Sequence, residues 1–127
     1  MKKSELTKSE WLIMNRVWVH QKVTAREVTE DLSKKTKWSY NTVKTMLARM
    51  AEKGWVTETK IGGLCFYRPA VNRGTTIKNA LDDIVERVLD GSFEPLVSYL
   101  GNKKRLSKKD IDVLDKLIKE SRKSENE

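Results

Sequence analysis

Residues 38–49 run Trp38-Ser-Tyr-Asn-Thr-Val-Lys-Thr-Met-Leu-Ala-Arg49, and their spacing predicts a helix with two unlike faces. Val43, Met46, Leu47 and Met50 recur at helical intervals and are expected to face a core. The opposite side carries Tyr40, Asn41, Thr42, Lys44, Thr45 and Arg49. From Leu32 to Ala51 there is no acidic residue, whereas Lys34, Lys35, Lys37, Lys44 and Arg49 are basic. Short hydrogen-bonding side chains mixed with cations suit a DNA major groove, where phosphates and base edges must be met together. An ordinary solvated helix face has much the same composition, so the surrounding sequence has to decide.

Helix starts around this segment are well marked. Thr7-Lys-Ser-Glu10, Thr24-Ala-Arg-Glu27 and Ser107-Lys-Lys-Asp110 each fit a capping box, in which a hydroxyl accepts from an orphan N–H and an acid reaches back. Ser39 is expected to cap the helix described above without such an acid, which keeps negative charge away from its leading end. A first helix is expected over about 8–19, burying Trp11, Met14, Val17 and Trp18. A second spans about 25–35 with Ala25, Val28 and Leu32 inward, and the third stops at Gly54, a left-handed C-cap. The period then changes. Trp55 to Lys60 alternates and is β-branched, Ile61-Gly-Gly is a turn, and Leu64 to Arg68 is apolar and aromatic before Pro69. Three helices and a hairpin make a winged helix-turn-helix over residues 1–72, the third helix reading the groove and the hairpin forming the wing.

Within residues 73–127 the pattern returns to helix from Thr75. Ile77, Leu81, Ile84 and Val88 step by four, three and four, with Val85 and Leu89 beside them, until Gly91 ends the rod. Pro95 precedes a shorter apolar helix with Leu96, Val97 and Leu100. A last helix puts Ile111, Leu114 and Ile118 on one side and Val113 and Leu117 next to it, and the polar tail from Ser121 is expected to fray. So many apolar positions in so short a segment are hard to bury in one copy without staples. A homodimer built on Ile77, Leu81, Ile84, Val85, Val88, Leu96, Leu100, Ile111, Leu114 and Ile118 solves that problem and supplies two-fold symmetry. Packing of these helices onto their own winged domain is the alternative. The expected fold class is therefore mainly α, a winged helix-turn-helix followed by a three-helix dimerisation region.

Bulk properties agree. The 127 residues carry a net charge of +8, which points to an acidic partner. The excess is uneven: residues 1–72 hold 14 Lys and Arg against 7 Asp and Glu, and residues 73–127 hold 12 against 11. No apolar run approaches the roughly 18 residues of a membrane span, and no apolar stretch follows the basic N-terminus, so a soluble cytoplasmic protein without a signal peptide is expected. Cys65 is alone, which excludes an internal disulfide. His20 has no partner at ligand spacing, and Gly62-Gly63 lacks the helix and Lys-Ser/Thr pair of a phosphate loop. No catalytic constellation stands out, and no cofactor or metal is expected. Trp11, Trp18, Trp38 and Trp55 read as packing residues, Cys65 as a small buried one, and the Lys103-Lys104-Arg105 and Lys108-Lys109 runs as solvated.

The chain resembles the penicillinase-repressor family of β-lactamase, methicillin-resistance and copper-operon repressors. The carrying residues are Leu6-Thr-Lys-Ser-Glu-Trp11 with Met14 and Trp18, and Trp38-Ser-Tyr-Asn-Thr-Val-Lys-Thr45 with Leu47 and Arg49. Lys53-Gly54, Tyr67 with Pro69, and Leu106-Ser107, Asp110-Ile111 and Leu114 complete the match in order. The resemblance implies a dimeric repressor on a double-stranded inverted-repeat operator, often with TACA/TGTA-like half-sites. It implies a groove-reading role for Asn41, Thr42, Lys44 and Thr45, flanked by Ser39 and Tyr40, and phosphate contacts from Arg49, Lys60 and Arg68. Three departures stand out. Tyr40 occupies a position that is Pro in many relatives, where it is expected to shift base preference or add an apolar contact to a thymine methyl. The Asn-Phe pair at which penicillin-responsive members are cut is replaced in Pro95-Leu-Val-Ser-Tyr-Leu-Gly101, and the Cys-x-Cys motifs of copper-responsive members are absent. The inducer or protease is thus left open. The competing function is a winged-helix module whose basic face binds an acidic protein or RNA.

Overall fold

The computed structural model describes residues 5–102 and 106–125. In chain order its elements are α1 (Lys8–His20), α2 (Ala25–Asp31), α3 (Tyr40–Lys53), β1 (Val56–Ile61), β2 (Leu64–Pro69), α4 (Arg73–Arg87), α5 (Glu94–Asn102) and α6 (Lys108–Glu125). Mainly helical with one two-stranded antiparallel sheet, this is the expected fold class. Contacts divide the chain into two compact units that meet at Leu81 and Asp82, within α4.

The first unit holds the core. Ile13, Met14, Val17 and Trp18 of α1, Ala25 and Val28 of α2, and Val43, Leu47 and Met50 of α3 are all buried, with Leu6, Val23, Leu32, Trp55, Val56 and Tyr67. Trp11, Trp38, Met46 and Cys65 pack on it half-buried. Trp11 was expected to be buried outright. It instead stacks at a tilt on Trp18, ring centroids 6.0 Å apart, while Ile13 takes the interior position. Capping explains where α1 and α2 begin. The Thr7 hydroxyl accepts from the Glu10 N–H while the Thr7 N–H donates to the Glu10 carboxylate, and Thr24 and Glu27 repeat the arrangement.

Two boundaries differ from expectation for local reasons. Helix α2 stops at Asp31, not near Lys35, because the Ser33 and Thr36 hydroxyls donate to the Glu30 and Leu32 carbonyls and the backbone tightens into turns. Helix α4 begins at Arg73, two residues before Thr75, because the Asn72 side chain accepts from the Thr75 N–H. The hairpin closes on Gly62 (φ 57°) and Gly63 (φ 82°), a type I′ geometry that glycine alone adopts freely at both positions. Its base is anchored, since Val23 and Tyr67 exchange both backbone hydrogen bonds, at 3.0 and 2.7 Å.

In the second unit Asp90 and Gly91 take positive φ after α4, and Ser107 and Asp110 form the third capping box at the start of α6. Helix α6 continues through Ser121 to Glu125, where fraying was expected; Arg122 and Lys123 in its last turn complement the helix dipole. No residue of α4, α5 or α6 is buried. Leu81, Ile84, Val88, Leu96, Ile111 and Ile118 are exposed, and Ile77, Val85, Leu100 and Leu114 are half-buried. Lys108 and Lys109 are exposed, and Lys103-Lys104-Arg105 lie outside the described residues.

Candidate nucleic-acid interface

Every polar residue expected on the outer face of α3 is exposed there. Val43, Leu47 and Met50 turn into the core, which forces Asn41, Thr42, Lys44, Thr45 and Arg49 outward by helical geometry. Asn41, Thr42, Thr45, Met46 and Arg49 line a shallow depression along one flank. Ser39 is the N-cap, its hydroxyl 3.2 Å from the Thr42 N–H and 3.0 Å from the Thr42 hydroxyl, so its first task is to hold the helix start. The far end closes at Gly54 (φ 88°) and is tied down by Lys53, whose ammonium lies 2.9 Å from the Glu10 carboxylate.

On the other flank stands Tyr40, the first residue of α3. The Arg26 guanidinium sits 5.3 Å from its ring centroid and the Lys44 ammonium 5.9 Å. Arg26 belongs to α2 and was missed in the sequence. Its signal lay in the Thr24–Glu27 capping box, which fixes Arg26 on the exposed side of the first turn. A further cation–ring contact, Lys22 over Phe66 at 4.6 Å, lies on the wing strand β2.

The wing separates its two cations. Lys60 pairs with Cys65 and Arg68 with Thr57 in the hairpin register, and strand alternation puts Lys60 and Arg68 on opposite faces. Both are exposed. At the tip Ile61 and Leu64 pair with their side chains in solvent. Cys65 is half-buried and donates to Glu58 over 3.0 Å; burial raises its thiol pKa and that hydrogen bond raises it further, the reverse of a reactive thiolate. Burial likewise raises the Tyr67 phenol. His20 pairs with Asp31 at 2.6 Å, and no group of three or more metal-ligating side chains occurs among the described residues.

These features are those of a winged-helix DNA-binding domain, and the sequence matches the penicillinase repressor family model over residues 6–120. The chain belongs to the penicillinase repressor family. It is a winged-helix, DNA-binding transcriptional repressor and not an enzyme. Relatives in that family span nearly its whole length. It is 27% identical over 123 residues to the penicillinase repressor of Bacillus licheniformis, covering 97% of this chain and 96% of that one. It is 25% identical over 114 residues to the methicillin resistance regulatory protein MecI of Staphylococcus aureus strain N315, covering 90% and 93%. The solution structure of monomeric B. licheniformis BlaI in complex with the blaP half-operator shares 32% identity and a TM-score of 0.50, over 57% of this chain and 89% of that one. No described helix is long and apolar enough to cross a membrane.

Proposed function

We propose that this repressor binds an inverted-repeat operator in double-stranded DNA as a cytoplasmic homodimer, residues 1–72 gripping DNA and residues 73–127 joining the copies. Asn41, Thr42, Lys44 and Thr45 read base edges in the major groove, with Ser39 and Tyr40 at its rim. Arg49, Lys60 and Arg68 hold phosphates. The observation that carries this reading is the outer face of α3, exposed along its length and free of acid from Tyr40 to Ala51. Such a surface approaches a polyanion without like-charge repulsion and offers amide and hydroxyl groups to bases.

Dimerisation is supported by what one copy leaves in water. Ile84 is 44% exposed, Val88 74%, Leu96 37%, Ile111 47% and Ile118 49%, apolar side chains on successive helices of a segment without a buried residue. Apolar side chains exposed in such number, with no core of their own to enter, favour pairing with a second copy. The relative solved with a half-operator supports a two-half-site target. Salt titrations of binding to an inverted TACA/TGTA duplex and to a scrambled duplex of equal composition test the reading. A steep slope on both with tighter binding to the repeat is expected. Equal affinity for the two would overturn it in favour of a module for RNA or an acidic protein.

A further inference from the structure

Tyr40 is built into the start of α3 in a way that groove reading alone does not require. An aromatic ring attracts cations through its negative face. Here one ring has two, the Arg26 guanidinium at 5.3 Å and the Lys44 ammonium at 5.9 Å. They come from different elements: Arg26 from the first turn of α2, Lys44 from the next turn of α3. No acidic side chain pairs with either among the described residues; Glu27 beside Arg26 is committed to the Thr24 backbone and hydroxyl. Two cations held together by a ring, rather than by a carboxylate, keep their full charge for a third party. Tyr40 is 39% exposed, so that party can reach the cluster from solvent. Arginine suits it best, because its planar guanidinium stacks on a ring while its edge still donates paired hydrogen bonds.

We infer that Tyr40 is a positioning residue that holds Arg26 and Lys44 side by side, and that Arg26 so held contacts a DNA phosphate at the edge of the groove entered by α3. The inference rests on the DNA-binding reading above, and it makes α2 part of the contact surface. It also gives Tyr40 a different task from an apolar contact to a thymine methyl, because the ring face is turned to cations.

The experiment measures affinity against salt for the full-length protein and its variants Arg26→Ala, Tyr40→Phe, Tyr40→Leu and Tyr40→Ala, on the TACA/TGTA duplex and on the scrambled one. Loss of one phosphate contact lowers the slope by about 0.9 per protomer, so Arg26→Ala should lose about 3.5-fold less affinity per protomer than the unmodified protein between 50 and 200 mM salt. That change should be the same on both duplexes, since a phosphate contact carries no sequence information. Tyr40→Phe should behave as the unmodified protein, because the ring face survives. Tyr40→Leu and Tyr40→Ala should weaken binding to both duplexes, and Arg26→Ala should cost less in the Tyr40→Ala background than alone. An unchanged slope in Arg26→Ala, strict additivity of the two substitutions, or a Tyr40→Leu defect confined to the TACA/TGTA duplex would each overturn the inference while leaving the repressor reading intact. If the unmodified protein shows no salt-dependent affinity for either duplex, both fail together. Both residues are exposed, and thermal unfolding of each variant at the unmodified midpoint confirms that the fold is not what changed.

Discussion

Replacing Lys53 with methionine removes the cation that ties the end of α3 to the start of α1. Glu10 is the buried charged residue of the described chain, with its side chain 7% exposed and one carboxylate oxygen 2.9 Å from the Thr7 N–H. The other oxygen lies 2.9 Å from the Lys53 ammonium, whose side chain is 40% exposed. Stranding a fully buried carboxylate costs about 3–5 kcal/mol. Water reaches the Lys53 side of this pair and replaces part of what is lost, which reduces the figure to about 1 kcal/mol. Methionine keeps the apolar stem, so the loss is of charge and hydrogen bond, not of packing. Glu10→Ala should cost about 2 kcal/mol, because the capping box goes too, and the double variant should show coupling of about 1 kcal/mol.

The assay is thermal unfolding followed by tryptophan fluorescence, which reports the first unit alone since Trp11, Trp18, Trp38 and Trp55 all lie in it. Lys53→Met should lower the midpoint by roughly 4–8 °C at neutral pH. Burial raises the Glu10 carboxyl pKa, but the Thr7 N–H, the hydrogen bond and charge of Lys53, and the Thr7 hydroxyl outweigh it and hold the value below 4.5. A carboxyl depressed in the folded state contributes stability above its ordinary value and loses it as pH falls through the folded one. The gap between the two proteins should therefore close as pH drops below 4.5. Equal midpoints at neutral pH, or a gap undiminished well below that value, would refute the reasoning.

Within the groove, Asn41→Ala or Lys44→Ala should each weaken binding to the inverted repeat by about 1–3 kcal/mol and relax sequence preference in gel shifts. Lys60→Ala should instead weaken binding to all duplexes alike and lower the salt slope by about 1 per protomer. Replacing exposed Leu81 and Ile84 together with Asp should yield monomers in sedimentation and much weaker operator binding; an unchanged assembly would remove α4 from the proposed interface. Tyr67→Ala should cost about 3–5 kcal/mol in denaturant titration, since Tyr67, on the wing strand β2, is 2% exposed and part of the core.

The helices were legible because capping and period agree. The three hydroxyl–acid boxes stand where helices begin, and Val43, Leu47 and Met50 fix which side of α3 faces solvent. Boundaries set by competing side chains were less so: nothing in the spacing of Val28 and Leu32 announces that Ser33 and Thr36 will take the carbonyls ending α2. The wing shows the same limit. Lys60 and Arg68 are legible as wing cations, but only the register of the Gly62-Gly63 turn tells that they stand on opposite faces of it. Arg26 was missed because the capping box marks only its exposure, whereas its value depends on a ring distant in sequence, and contacts between elements leave no local period. Half-burial of Trp11 escaped for a related reason, since spacing identifies an apolar stripe but not which member lies at its margin.

One measurement bears on the whole account: affinity for two inverted TACA/TGTA half-sites one helical turn apart, compared with the same duplex carrying about five extra base pairs between them. Two α3 helices fixed by a symmetric dimer require both sites on one side of the DNA, so the insertion should reduce affinity at least tenfold and a further five should restore part of it. Affinity indifferent to spacing would contradict the account, because each winged domain would then be binding alone.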